Sequence, residues 1–321
     1  MTNTIRNRMF SSAFAASSPF GVMFHHFFDD RRHPRIEGAL SVDEFDQILS
    51  NPGPFTFLPA ADWLARLERG TLRSNEICIT FDDALLSQYE LAEPVLRHHD
   101  LTAFWFVYSS VFNGDVPMLE VYRYFRNVQY NNTSLFYSDY FSAATALFDL
   151  DIESIRELES AQHYLIDFSI YNKSDRLFRF VRDRALEPDQ NDLIMQRLMA
   201  AHEFDPASVA QDLWLTNDHI RQLSNNGHIV GLHSYSHPTN LSSYSEEQQR
   251  DEYIQNAEHL TKVTGNVPNI MAHPSNSYSE VTIQILKDLN IKYGFRSNDN
   301  VKRPYNFELP RVDHKLFFTP S

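Results

Sequence analysis

Two adjacent carboxylates, Asp82 and Asp83, close the run Ile77-Cys-Ile-Thr-Phe-Asp-Asp83. The apolar, β-branched part reads as a buried strand, so the carboxylates emerge at its end. Neighbouring Asp residues repel each other and lose hydration there. A metal cation or a shared proton is the usual remedy. Much later, His233 and His237 stand four apart, after a second strand-like run, His228-Ile-Val-Gly-Leu232. A hydrolytic metal site needs about three protein ligands and an open position. The two imidazoles and one of the two carboxylates make up that set. The other carboxylate is then free to take a proton from water. A bound metal lowers the pKa of water and polarises a carbonyl, which brings hydrolysis within reach near neutral pH. Singly, each element has an ordinary reading: HxxxH as surface or core histidines, Asp-Asp as the acidic start of a helix. Their joint position after strands favours the metal.

The elements that must hold these groups alternate along the chain. Phe20-Gly-Val-Met-Phe24 reads as a strand, with His25 and His26 at its end. Ser41 and Glu44 have capping-box spacing and open a helix. A second helix spans about Ala60 to Arg69, and a third about Ala84 to His98. Thr102–Val107 is another buried strand. Thr216 caps a helix that stops at Asn226-Gly227, and Ser245 and Gln248 form a further capping box. Short strands follow at Asn269–Ala272 and Ile291–Phe295, and the chain closes on Leu309-Pro-Arg-Val-Asp-His314. Alternating strands and helices predict a parallel α/β arrangement, which places functional groups at the carboxyl ends of its strands. His25, Asp82, Asp83, His233, His237 and His273 all fall just after expected strands.

Between about Asp115 and Asp212 the texture changes. Tyr, Phe, Asp and Arg dominate, strand signals are few, and a structureless loop of that length would be improbable. The expected organisation is a tail at 1–19, a barrel over 20–114 and 213–321, and a helical insertion over 115–212. Tyr122, Tyr124, Tyr130, Phe136 and Tyr137 of the insertion are candidates for a lid or for a surface that joins two copies into a homo-oligomer.

Composition narrows the function classes. Hydrophobic residues make up 42% and charged residues 22% of the 321 residues, ordinary for a globular protein. The net charge of −14 argues against nucleic acid as a partner. No GxGxxG or GxxxxGK spacing occurs. Cys78 is the single cysteine and sits in an apolar run, a small buried hydrophobe. No run reaches the roughly 18 apolar residues of a membrane span. Met1–Ser18 loosely imitates a signal peptide, but its apolar part is short and serine-rich. A cytoplasmic location is therefore the expectation, with export as the alternative.

Thr80-Phe-Asp-Asp83 and His233-Ser-Tyr-Ser-His237 resemble the first two motifs of the polysaccharide deacetylases, the NodB-homology group of carbohydrate esterases. The resemblance covers roughly 20–103 and 215–313 and leaves the helical insertion outside. It implies an α/β fold, a distorted (β/α) barrel with about seven parallel strands. It also implies metal-dependent removal of an acyl group, most often N-acetyl from an amino sugar or glycan precursor, with zinc the usual ion. By position Asp82 would be the catalytic base, and Asp83, His233 and His237 would bind the metal.

The chain departs from the family pattern in several places. Ala84 stands where many members have Gly. Met271-Ala-His-Pro-Ser-Asn-Ser-Tyr278 lacks the Arg that usually orients the base. No late Leu-x-His motif supplies the general acid. Met23-Phe-His25 resembles the N-terminal Tyr-His element of permuted members, so His25 is the expected acid and His26 its rival. Arg311 could orient the base in place of the missing Arg, and Asp313 could orient a histidine. His26, His273 and Tyr278 are expected to line the substrate pocket. Two other functions stay open from the residues: a metal-dependent amidohydrolase on a small non-sugar amide, and a non-catalytic carbohydrate-binding relative.

Overall fold

The computed structural model describes residues 8–10, 19–166, 171–297 and 306–320, so most of the tail assigned to 1–19 lies outside the described residues. The strands are β1 (Arg8–Phe10), β2 (Gly21–Phe24), β3 (Thr56–Phe57), β4 (Glu76–Phe81), β5 (Phe104–Val107), β6 (Ile229–Leu232), β7 (Ile270–Ala272), β8 (Tyr293–Phe295), β9 (Arg311–Asp313) and β10 (Phe318–Pro320). The main sheet runs β8-β7-β6-β5-β4-β2-β9, and β3 pairs with the start of β4. Every neighbouring pair in it is parallel. The segment leading into β9 also reaches the opposite edge. Leu309 bridges to Phe295 of β8, while the Pro310 carbonyl accepts from Gly21 N at 3.0 Å. The sheet thus nearly closes on itself, and the expected seven-stranded α/β barrel is the fold. β1 and β10 form a separate antiparallel pair.

Apolar continuity explains the central strands. All six residues of β4 and all four of β2 and of β5 are buried, as parallel strands covered on both faces require. Phe24, Phe27, Phe45, Phe81 and Trp105 interlock beneath the strand ends, with Phe81 and Trp105 stacked at 4.4 Å. Each such ring contributes about 2–3 kcal/mol by leaving water. Gly231 is demanded by close approach: a Cβ there would lie 2.8 Å from both the Ile270 carbonyl and the Phe106 ring. Only glycine lets β6 sit this near β7.

The expected capping boxes form at Ser41/Glu44 and Ser245/Gln248. One expected helix starts late. Ala84 was to open it, yet Asp83 and Ala84 have φ of 74° and 54°. The chain turns through the left-handed region as it leaves β4, and helical structure begins only afterwards, passing through a wide turn at Gln88–Ala92 before Glu93–His98.

The chain divides into two compact units. The first comprises 1–34, 38–117 and 212–321, and the second comprises 35–37 and 118–211. Within the second, the described residues form helices, including Met118–Gln129, Thr133–Phe148, Ile152–Ala161, Lys173–Phe180 and Pro188–Ala201. Arg35–Glu37 joins this unit although the sequence reading kept it with the barrel. Glu37 N donates to Asn127 at 2.9 Å, and the Glu37 carboxylate pairs with Arg126 at 3.1 Å. The aromatic residues expected on a lid or dimer surface behave differently. Tyr122, Tyr130, Phe136 and Tyr137 are buried, packed with Tyr140 and Phe178 as the unit's own core; Tyr124 is half-buried. Among the described residues, no helix is long and apolar enough to cross a membrane.

Candidate metal centre

The parallel register brings the ends of β2, β4 and β6 to one rim, with β5 between β4 and β6. Phe24 pairs with Phe81, Phe81 with Trp105, and Val107 with Leu232. The residues that follow, His25, Asp82–Asp83 and His233, therefore emerge at one rim. The left-handed turn at Asp83 and Ala84 swings the second carboxylate back over the barrel mouth.

His233 is fixed from two sides. Its backbone N–H donates to Asn256 Oδ1 at 2.9 Å, and its ring Nδ1 lies 2.9 Å from the Ala272 carbonyl. A carbonyl only accepts, so Nδ1 carries the proton and Nε2 faces the site with its lone pair. Asn256 in turn donates to the Val107 carbonyl and Ser109 Oγ, tying the ends of β5 and β6 together. His237 returns to its neighbour through a tight turn in which Ser234 and His237 both have positive φ, 64° and 55°. The Glu252 carboxylate holds that turn, accepting from Tyr235 N at 2.9 Å, Ser236 N at 2.8 Å and Ser236 Oγ at 2.6 Å. The two imidazole centroids end 4.7 Å apart.

Asp83 Oδ1 lies 3.5 Å from His233 Nε2 and 3.3 Å from His237 Nε2. The three ligand atoms fall within 4.8 Å of one another. Bonds of about 2 Å at tetrahedral angles place ligand atoms about 3.3 Å apart, so these spacings suit one divalent ion. Asp83 Oδ1 is also buried with no hydrogen-bond partner. A buried carboxylate oxygen facing two imidazole nitrogens is stable only with a cation or extra protons between them. Burial alone would raise the Asp83 pKa, but His237 and His233 reverse this and hold it well below the ordinary value. The donor set, two imidazole nitrogens and one carboxylate oxygen, is that of a site with an open fourth position.

Asp82 faces a different partner. Arg311, itself buried, donates to Asp82 Oδ1 at 2.6 Å and is anchored by the Arg296 carbonyl at 3.0 Å. Burial pushes Asp82 up, while Arg311, His233 and His25 more than offset it, leaving its pKa lowered. The Arg missing from the 271–278 stretch thus has a spatial counterpart on β9. The reading as a non-catalytic relative had that gap as its main ground and loses it. His25 Nε2 lies 3.9 Å from Asp82 Oδ2 and from Asp83 Oδ2, and about a quarter of its side chain is open to solvent.

The remaining candidates separate from this group. His26 is buried, and its carbonyl accepts from Leu40 N. His273 is buried, stacked on Tyr278 at 4.0 Å and bonded through Nε2 to the Phe307 carbonyl. Burial pulls its pKa down to about 3. Tyr278 donates to Glu308. Asp313 accepts from Lys315 N and lies 3.6 Å from His314 Nδ1. Sequence reasoning missed Glu252 and Asn256. Both lie on the Glu246–Thr264 helix, one turn apart on one face, and polar residues on a helix ordinarily read as solvated.

Asp83, His233 and His237 thus gather at the carboxyl rim of a barrel of parallel strands, a candidate metal centre on an α/β barrel. Residues 194–294 match the family model described as polysaccharide deacetylase. The match includes both histidines and ends well short of the Asp pair on its N-terminal side. No curated protein matches the chain. Solved structures with a similar fold include the deacetylase PplD of Streptococcus pyogenes in complex with acetate, 16% identical, covering 93% of each chain, with a TM-score of 0.54. They also include IcaB from Ammonifex degensii, 17% identical over 92% of this chain and 90% of that one, TM-score 0.52. A de-N-acetylase from Aggregatibacter actinomycetemcomitans is 11% identical over 92% of this chain and 93% of that one, TM-score 0.52. At such identities the likeness is one of fold. Together with the family match it bears out the polysaccharide deacetylase resemblance read from the two motifs.

Proposed function

We propose that the protein is a metal-dependent deacetylase that hydrolyses an N-acetyl group of an amino sugar in a glycan or glycan precursor. The observation that carries this reading is the convergence of Asp83, His233 and His237 beside a second carboxylate, Asp82, locked by Arg311. The three converging side chains would hold the ion, most often zinc with such a donor set. A divalent cation bound there would supply Lewis acidity, polarising the acyl carbonyl and acidifying water. Asp82 is the base. Its Oδ1 is occupied by Arg311 at 2.6 Å, so Oδ2, on the side of His25 and His233, is the atom that takes the proton. Arg311 keeps that carboxylate ionised and oriented between turnovers. His25, partly open to solvent at the mouth, carries the proton that the departing amine needs.

The test is acetate release from N-acetylated amino-sugar oligomers by the purified protein. Expected are activity lost on chelation and restored by a divalent metal, and an Asp82→Asn variant that retains metal but loses about 10³-fold or more in turnover. Asp82→Asn with near-normal hydrolysis, or wild-type turnover indifferent to chelation, would overturn the proposal.

A further inference from the structure

The helical unit contains a second charged cluster, of the opposite kind. Arg123 and Arg126 stand three apart on the Met118–Gln129 helix, and Arg179 and Arg182 stand three apart across the end of Lys173–Phe180. Residues three apart share a helix face. The two faces meet around a cavity of about 40 Å³, lined by all four arginines together with Tyr122 and Asn191. That is room for a few waters or one small oxyanion.

Three of these cations have carboxylate partners. Arg123 pairs with Glu120, Arg126 with Glu37 and Arg182 with Asp183. Among the described residues no carboxylate pairs with Arg179, whose guanidinium lies over the Tyr171 ring at 4.1 Å. Arg126 Nε is buried without a hydrogen-bond partner. Burial lowers the Arg179 pKa from its ordinary value, and Arg182, Arg123 and Arg126 add to this against an opposing pull from Tyr171. Asn191 Oδ1 is taken by the Tyr140 hydroxyl, so its NH₂ donors are what remain for the cavity. Tyr122 donates to Asp192, so among the described lining groups the Arg179 guanidinium, with no carboxylate, and the buried Arg126 Nε are the charged donors left for a bound anion.

We infer that this cavity binds a phosphate-type oxyanion, held by Arg179 with Arg123, Arg126 and Arg182 around it. A tetrahedral, multiply charged group meets guanidinium forks arriving from two helices, whereas a flat carboxylate is satisfied by one fork. The site does not depend on the deacetylase reading.

The experiment is calorimetric titration of the full chain with inorganic phosphate and, in a separate arm, with a hexose phosphate, each at ionic strength matched with sodium chloride. Saturable one-site binding is expected in at least one arm. Binding in the first arm would identify a free anion, and tighter binding in the second a phosphorylated molecule. Arg179→Gln should weaken binding about ten-fold or more, Arg179→Lys less, and the exposed Arg184→Gln not at all. Arg179→Gln should keep a cooperative thermal unfolding transition well above the titration temperature in phosphate-free buffer, so loss of binding cannot be put down to unfolding. No binding beyond chloride in either arm, or full binding by Arg179→Gln, would overturn the inference.

Discussion

The barrel rim and the helical unit both bring charged side chains closer than water would allow, and they manage it by different means. At the rim the positions come from strand ends. Asp82, Asp83 and His233 follow directly from β4 and β6, and backbone hydrogen bonds to neighbouring strands leave their side chains little freedom. Opposite charges meet there, Arg311 on Asp82 and imidazoles on Asp83, an arrangement that the proposed function fills with a cation. In the helical unit the positions come from spacing along helices, and four arginines gather round one cavity, three with carboxylate partners and Arg179 without one among the described residues. A buried pair that is already complete should be costly to break, whereas a residue pressed against its own kind should be cheap to remove.

That contrast predicts the largest effect. Arg311→Met strands the Asp82 carboxylate in the barrel and should destabilise the protein by roughly 3–5 kcal/mol. Urea unfolding would measure it. Arg179→Gln, measured the same way, should lose about 1 kcal/mol at most, from its contact with the Tyr171 ring; comparable losses in the two variants would erase the distinction.

The next effect is pH-dependent. His228 is buried, its Nδ1 accepts from Ala103 N at 3.0 Å, and desolvation drops its pKa from 6.5 to about 4. The unfolded chain therefore takes up this proton first. The stability it contributes is full above about pH 6.5 and is lost as pH falls toward 4, up to roughly 3 kcal/mol. His228→Asn keeps an acceptor and removes the titration. Its acid limb of stability against pH should be shallower than that of the wild type, and an unchanged limb would assign the acid sensitivity to other groups.

A smaller effect is expected where a side chain acts through the turn that carries a ligand. Glu252→Gln leaves Asp83, His233 and His237 in place but weakens the grip on Tyr235 and Ser236. Metal affinity should fall about ten-fold, with the melting temperature nearly unchanged. If affinity and melting temperature fell together, Glu252 would be a general structural residue instead.

Much of the rim was legible before any coordinates. An apolar run ending in Asp-Asp and another ending in HxxxH both announce strand ends, and parallel sheets present their strand ends on one side. Even Arg311 could be nominated, because the 271–278 stretch lacks the Arg that the resemblance calls for and Arg311 stands late in the chain. What stayed hidden depended on facing rather than spacing. Glu252 and Asn256 look like solvated helix residues until the helix is laid against β6. The aromatics of the helical unit could be counted, yet their burial was decided by which helices meet. The Arg123/Arg126 and Arg179/Arg182 pairs have visible spacing, but nothing in sequence says that the two faces converge.

The smallest effect concerns the turn that delivers Asp83. Ala84 adopts φ 54°, a conformation that costs a β-carbon-bearing residue about 1 kcal/mol and costs glycine little. Ala84→Gly should leave stability level or raise it slightly in thermal unfolding, despite the added freedom of the unfolded chain. A clear loss would show that the buried Ala84 methyl matters more than the turn.

The most direct measurement is anomalous diffraction at the zinc edge from crystals grown with zinc. A single strong peak about 2 Å from Asp83 Oδ1, His233 Nε2 and His237 Nε2, beside Asp82 but not on it, is the predicted result. A peak elsewhere, or none at these three atoms with zinc in excess, would contradict the account.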